Sequence, residues 1–167
     1  MISWTSVPTR LGTFHIASDG KAVVETALPG VKDFAAHLAE HYRGQPVRRD
    51  PHEAIALLAA QELTEWADGK RVTFTVPLRF EGTAFQKLVW AELAAIPYGE
   101  VRSYLDVAEA IGKPGASRAV GQANHRNPVA PFVPCHRVVT AGGKLGGYGG
   151  GVELKKKMLA IEGVELA

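Results

Sequence analysis

Apolar and polar residues follow two different periods along this chain, and the changes of period mark its predicted elements. Residues 12–17 and 22–27 read as two strands around Ser18-Asp19-Gly20-Lys21, whose Asp-Gly chemistry predicts an antiparallel hairpin. Val31 to Tyr42 carries helical spacing and stops at Arg43-Gly44. His52 to Ala67 does so more strongly, with Ile55, Leu58, Leu63 and Trp66 available for packing before Asp68-Gly69. The β-rich run Val72 to Val76 is expected to complete a three-stranded antiparallel sheet. Pro77 to Thr83 reads as a connection, giving expected domains at residues 1–78 and 82–167. In the second, Thr83 caps a helix from Ala84 to Ile96, with Phe85, Leu88, Val89 and Leu93 toward a core. Ser103 caps a helix from Tyr104 to Ile111, and Asp106 stands where a capping box needs a carboxylate. After the break Gly112-Lys113-Pro114-Gly115, Ala116 to Asn124 forms another helix, and Val152 to Ile161 the last. The fold class is α+β: a small α/β domain, then a mainly helical one containing a helix-turn-helix.

Composition narrows the setting. Hydrophobic residues at 46% and charged residues at 22% are ordinary for a globular protein. One cysteine excludes a disulfide framework and a multi-cysteine zinc site. The opening Met1-Ile2-Ser3-Trp4-Thr5 lacks the character of a signal peptide, and no apolar run is long enough to span a bilayer. A cytoplasmic or nuclear protein with a reduced thiol is expected. Net charge is +2, but residues 1–81 carry 9 basic against 10 acidic (−1), and residues 82–167 carry 10 against 7 (+3). The basic excess accompanies the cysteine, which is compatible with a polyanionic partner.

The chemistry concentrates in Pro134-Cys135-His136-Arg137-Val138-Val139, where the cysteine stands between a constrained proline and a potential base. A single cysteine is most often a small buried hydrophobe, so its context decides. Seven of the ten residues from Gly142 to Gly151 are glycine, around Tyr148, and no phosphate-binding signature fits them. That run reads as a loop whose bare backbone approaches a ligand. Ala116, Ala119, Gly121 and Ala123 make the preceding helix rich in small residues, suited to close approach either to a neighbouring helix or to the floor of a DNA groove. Arg118 is the one long cation among them. Asn127, in the turn before the cysteine, can satisfy its own backbone or brace the strand presenting Cys135. His37-Leu38-Ala39-Glu40-His41 matches a zinc-binding spacing, but its helix breaks at once and no third ligand is marked, so it is read as a solvated face and no metal is expected.

Ile96-Pro97-Tyr98-Gly99-Glu100, Ser103-Tyr104, Arg118-Ala119-Val120-Gly121, Asn127-Pro128, the Cys135 motif, Gly147-Tyr148-Gly149-Gly150-Gly151 and Glu162-Gly163 follow one another in an order and spacing that resembles the O6-alkylguanine-DNA alkyltransferases. The resemblance spans Gly82 to Gly163; the first half matches only in element order. It implies a ribonuclease-H-like first domain and a winged-helix-like second. It also implies stoichiometric, irreversible transfer of an alkyl group from O6-alkylguanine to Cys135, with O4-alkylthymine an open second substrate. By the same resemblance, His136 acts as base through a bridging water, Glu162 orients it, Tyr104 donates a proton to guanine N3 and Asn127 braces the active-site turn. Backbone N–H groups around Tyr148 and Gly149 contact O6, and carbonyls near Cys135 and Val138 accept from the exocyclic amine. Gly149 stands where the family often has serine.

The target carbon lies inside a duplex, so the nucleotide must be extruded. The resemblance places the helix from Ala116 in the minor groove, with Ser103, Ala119, Gly121, Gln122, Ala123 and Asn124 at the DNA and Arg118 filling the vacated stack; His125 is assigned nothing beyond a phosphate contact. The expected partner is double-stranded DNA, bound by a monomer, with no cofactor and no membrane. A non-repairing damage sensor of this kind would replace Cys135. A cysteine hydrolase would leave the helix-turn-helix and Arg118 without purpose, and a plain DNA-binding regulator would leave the Cys135, His136 and Glu162 set unexplained.

Overall fold

The sheet of the first unit, Met1–Phe80, starts at the second residue of the chain. β1 (Ile2–Thr9) pairs antiparallel with β2 (Gly12–Ser18), β2 with β3 (Val23–Ala27), and β4 (Val47–Arg49) lies parallel to β1, giving the order β3-β2-β1-β4. The hairpin of β2 and β3 stands as expected. The three-stranded antiparallel sheet does not: the third antiparallel strand is β1, and a fourth, parallel strand is added. β1 hides its pattern because it buries Ser3 and Thr5 beside Ile2 and Val7, and because it contains Pro8. Val72 to Val76 does not join the sheet. The N–H groups of Thr75 and Val76 donate instead to the buried carboxylate of Glu62, at 2.8 and 3.0 Å, so a side chain takes the donors a neighbouring strand would have received.

Two helices complete this unit. α1 (Phe34–His41) buries Phe34 and Leu38 in a cluster with Ile2, Ala17 and Ala27. α2 (Ala54–Ala67) packs on β1 and β2 through small Ala56 and Ala59 together with Leu63 and Trp66, while Leu58, expected in the core, is exposed. His37 Nε2 lies 2.8 Å from Glu25 Oε2, its ring stacked between Phe34 and His41, and Glu40 pairs with Arg43.

The structure, a computed structural model, describes residues 1–166. The second unit begins at Glu81. α3 (Ala84–Ala94) opens with a capping box between Thr83 and Gln86. It buries Val89, Trp90 and Leu93 and leaves Leu88 exposed, contrary to the expected inward face. β5 (Arg102–Ser103) runs straight into α4 (Tyr104–Ala110), which Ser103 and Asp106 cap as anticipated. α5 (Ser117–His125) follows a turn and packs on both α3 and α4, and Trp90 Nε1 donates to the Ala123 carbonyl at 2.8 Å. Cys135–Arg137 form one 3-10 turn, β6 (Val138–Val139) follows in parallel to β5, and α6 is Val152–Ile161. Cys135 is therefore presented by a 3-10 turn and not by a strand. Among the described residues no helix is long and apolar enough to cross a membrane.

Candidate active site

The two-residue ladder of β5 and β6 sets the geometry of the second unit's chemistry. It pairs Arg102 with Val138 and Ser103 with Val139, so that Tyr104, the first residue of α4, and Cys135, just before β6, converge from segments 31 residues apart in sequence. Cys135 is 4% exposed. Its Sγ lies 3.9 Å from the Tyr148 hydroxyl, and its own N–H donates to the Val133 carbonyl at 2.9 Å. Asn127 does both things considered for it: Oδ1 accepts from Val129 N–H at 3.0 Å and Nδ2 donates to the Val133 carbonyl at 2.7 Å. It thereby clamps the segment leading into the cysteine turn. Burial pushes the Cys135 thiol up; hydrogen bonds with Asn127 and Tyr148 and the Lys155 charge oppose this without overcoming it. The resting group is the thiol, so its reaction requires a base.

The neighbouring His136 is the candidate. It is fully buried, and its Nε2 lies 3.0 Å from Glu162 Oε2. Burial would raise the Glu162 carboxyl, but hydrogen bonds and charge from Arg137 and His136 outweigh it and hold the group at about 2. An ionised carboxylate only accepts, so Nε2 carries the imidazole hydrogen and Nδ1 is the basic nitrogen. Burial also pushes His136 below its ordinary value, against the pull of Glu162, so the ring is neutral near pH 7. Arg137 completes the set with Nε on Glu162 Oε1 at 2.8 Å, Nη2 on Oε2 at 2.7 Å and Nη1 on the Ile96 carbonyl at 2.7 Å. Its guanidinium sits 5.9 Å from the Tyr98 ring centroid, and the Tyr98 hydroxyl donates to the Ile161 carbonyl at 3.0 Å, fixing the end of α6 where Glu162 stands.

α4, α5 and the glycine run lie around the cysteine turn. Burial, and after it the Cys135 charge, raise the Tyr104 phenol and keep it protonated. A Cβ at Gly121 would lie 3.8 Å from the Tyr104 ring, so this small residue of α5 serves approach to a helix. Gly146, at φ +67°, comes closer still: a Cβ there would stand 3.1 Å from Thr140 Cγ2 and 3.8 Å from the Tyr104 hydroxyl. Tyr148 is raised well above its ordinary value, chiefly by burial. Gly149 faces His125, whose Cε1 would be 3.7 Å from an added Cβ. Lys155 of α6 is fully buried, with Nζ donating to the Val138 carbonyl at 2.6 Å and also to that of Leu145. Burial lowers it to about 8, against the pull of Cys135.

The family model described as 6-O-methylguanine DNA methyltransferase, DNA binding domain, matches residues 84–164. The methylated-DNA–protein-cysteine methyltransferase of Mycobacterium tuberculosis is 38% identical over 162 residues, 97% of this chain and 93% of that protein. The inducible methylated-DNA–protein-cysteine methyltransferase of Bacillus subtilis is 52% identical over 103 residues, 62% of this chain and 58% of its own. The crystal structure of the M. tuberculosis O6-methylguanine methyltransferase superposes with a TM-score of 0.84 at 38% identity, covering 97% of this chain and 93% of that one. A second structure, M. tuberculosis OGT in complex with DNA, gives 0.84 at 38% identity over 96% and 92%. The chain belongs to the methylated-DNA–protein-cysteine methyltransferase family.

For a methyltransferase of this family, the structure gathers Cys135, His136, Glu162, Tyr104, Asn127, Val138, Tyr148 and Gly149 within the second unit. On α5, Arg118 and Gln122 are exposed and Ala119 is half-buried, so these three lie on the outward surface of the helix. Ala123 and Asn124, expected on that surface, are turned inward, because the helix lays them against Trp90 and the Cys135 turn. Ser103 is half-buried and its hydroxyl caps α4. Sequence reasoning assigned no role to Arg137 or Lys155. The available signal was the place of Arg137 inside the cysteine motif and, for Lys155, the apolar Met158 and Leu159 three and four positions further along α6.

Proposed function

We infer that Cys135 is the alkyl acceptor in direct-reversal repair of O6-alkylguanine in DNA. The proteins of this family are named for transferring a methyl group from DNA to a protein cysteine, and this chain has one cysteine. The observation that carries the assignment is the next residue: a buried, neutral His136 whose Nε2 hydrogen is committed to an ionised Glu162. Nδ1 is then poised to take the thiol proton, through the bridging water that relieves the two adjacent side chains of direct contact. The Cys135 sulfur bonds to the alkyl carbon as the carbon–O6 bond breaks, and the electron pair passes to the guanine. Tyr104, held protonated, donates to N3 and neutralises the developing charge. Main-chain N–H groups around Tyr148 and Gly149 meet O6, and Asn127 holds the turn. The thioether product is stable to hydrolysis, so each protein reacts once.

The base reaches this buried thiol only when extruded from the duplex. α5 enters the minor groove with Ala119 and Gln122 toward the DNA, and Arg118 occupies the vacated stack. The pairing of α4 with α5 supports the helix-turn-helix, winged-helix-like reading of this unit. A 3-2-1-4 sheet of three antiparallel strands and a parallel fourth supports the ribonuclease-H-like reading of the first. A monomer acts in a reducing compartment, cytoplasmic or nuclear, which suits a reaction that consumes a thiol.

Incubation with a duplex carrying O6-methylguanine, followed by intact-protein and peptide mass spectrometry, tests the reading. One methyl group on Cys135 is expected; unmodified protein beside an intact lesion would refute it.

A further inference from the structure

The glycine run is tied to the thiol and to α6 by contacts at Leu145 and Tyr148. The Tyr148 hydroxyl lies 3.9 Å from Cys135 Sγ, and Lys155 Nζ stands 6.0 Å from the Tyr148 ring centroid. The same ammonium donates to the Leu145 carbonyl. Gly149, the next residue after Tyr148, is held differently. A Cβ built there would lie 3.7 Å from His125 Cε1 and 3.9 Å from Nδ1. Among the described residues, its own chain neighbours aside, nothing else comes within 4 Å of that position. Gly142, Gly143, Gly147 and Gly151 would each place a Cβ in open space. The His125 ring therefore occupies the side of Gly149 on which a side chain would stand. His125 is also the last residue of α5. Arg118, Gln122 and His125 are spaced i, i+4 and i+7, so they form one stripe along the helix, and all three are exposed. The ring that touches the glycine run thus belongs to the outward face of α5.

We propose that His125 is a positioning residue for the transfer: its ring, resting against Gly149, restricts the glycine run whose main-chain N–H groups meet O6. This rests on the alkyltransferase reading of Cys135. Glycine has more backbone freedom to lose than any other residue, so a run of glycines presents ordered N–H groups only where neighbours confine it. Reaction rates fall steeply when such groups are displaced from the reacting atoms. Tyr148 fixes the run toward the thiol, and His125 confines the residue beside it through a side chain from another element. The contact works by shape, so it operates on a free base as well as on a base extruded from a duplex.

Amide hydrogen–deuterium exchange of the DNA-free protein reads the brace without any transfer. His125→Ala should speed exchange in peptides covering Gly146 to Gly151 and leave those of α2 unchanged. In single-turnover assays the same variant should lower the limiting rate at saturating O6-methylguanine duplex about 2- to 5-fold, the effect of one glycine's extra backbone freedom. Reaction with a free O6-alkylguanine base should slow by a similar factor. His125→Phe keeps a ring against Gly149 without its nitrogens and should recover the rate lost in His125→Ala. Gly149→Ala, added to His125→Ala, should recover part of it, because the backbone there lies outside the left-handed region and a methyl group restricts it. Unchanged exchange in His125→Ala overturns the proposal, as does failure of His125→Phe to recover the rate. So does a loss confined to duplex DNA and carried by the half-saturating DNA concentration, the result expected of a phosphate contact. Absence of transfer by wild-type protein, with the exchange difference present, would instead remove the alkyltransferase reading and leave the brace.

Discussion

Arg137 holds both carboxylate oxygens of Glu162, at 2.8 and 2.7 Å, while one of those oxygens also serves His136. The proposed base, His136, is thus oriented by a carboxylate that is itself held, and Arg137 together with His136 keeps that carboxylate ionised in a buried place. Arg137→Met should destabilise the protein by about 3–5 kcal/mol, because it leaves a buried charge unpaired. It should slow alkyl transfer as well. Arg137→Lys should restore little, since an ammonium cannot reproduce the planar two-point grip. Chemical denaturation and single-turnover assays check both.

Acid sensitivity follows from the same contact. Glu162 falls from 4.5 to about 2 on folding, so its ionised form stabilises the folded state. That contribution is complete above about pH 4.5 and disappears as pH drops toward 2. Denaturation midpoints across this window should fall steeply for wild-type protein and less steeply for Glu162→Gln. Parallel curves would separate the acid transition from this residue.

Lys155 acts on the thiol from the other side. Its charge draws the Cys135 pKa downward, and Lys155→Met should therefore raise it, moving the pH dependence of thiol alkylation by iodoacetamide to higher pH. Its own value drops on folding from 10.5 to about 8, so burying the ammonium opposes folding below about pH 8 and this penalty fades toward 10.5. Removing the amine also strips the Val138 and Leu145 carbonyls of a donor. An unshifted alkylation profile would show that Lys155 only supports the fold.

Arg118 is exposed on α5 with small residues around it. Arg118→Ala should slow repair of O6-methylguanine in duplex DNA far more than reaction with a free O6-alkylguanine base, which needs no extrusion. Equal slowing of the two would remove its role as the residue filling the stack.

Gly146 is expected to tolerate no side chain. Its positive φ and the 3.1 Å approach of a Cβ to Thr140 Cγ2 predict that Gly146→Ala displaces the wall beside Tyr104, lowering both the melting temperature and the transfer rate.

Local chemistry made much of this protein legible in its sequence. The cap at Thr83, the capping box at Ser103 and the limits of α6 are short-range effects, decided by residues three or four positions apart, and they read correctly. Cys135, its neighbour His136 and Glu162 were picked out by a motif order that needs no coordinates, and the structure brings His136 and Glu162 within 3.0 Å. Long-range pairing was not legible. β1 carries buried Ser3 and Thr5 and a proline, and only its neighbours on both sides make it a strand. Val72 to Val76 has strand composition, yet the Glu62 carboxylate takes its donors. The ladder of β5 and β6 is two residues deep, too short to leave a period, although it joins Tyr104 to the cysteine turn.

The residue types able to perform the chemistry were thus set by the sequence, since a thiol, an imidazole and a carboxylate are chemical identities that survive any fold. Tertiary structure alone decided their states. Whether Cys135 rests as a thiol, which nitrogen of His136 is basic, whether Glu162 is ionised and whether Asn124 faces DNA or the cysteine turn all depend on burial and on donors brought from distant segments. A linear pattern cannot specify a dielectric environment or the direction in which an amide points.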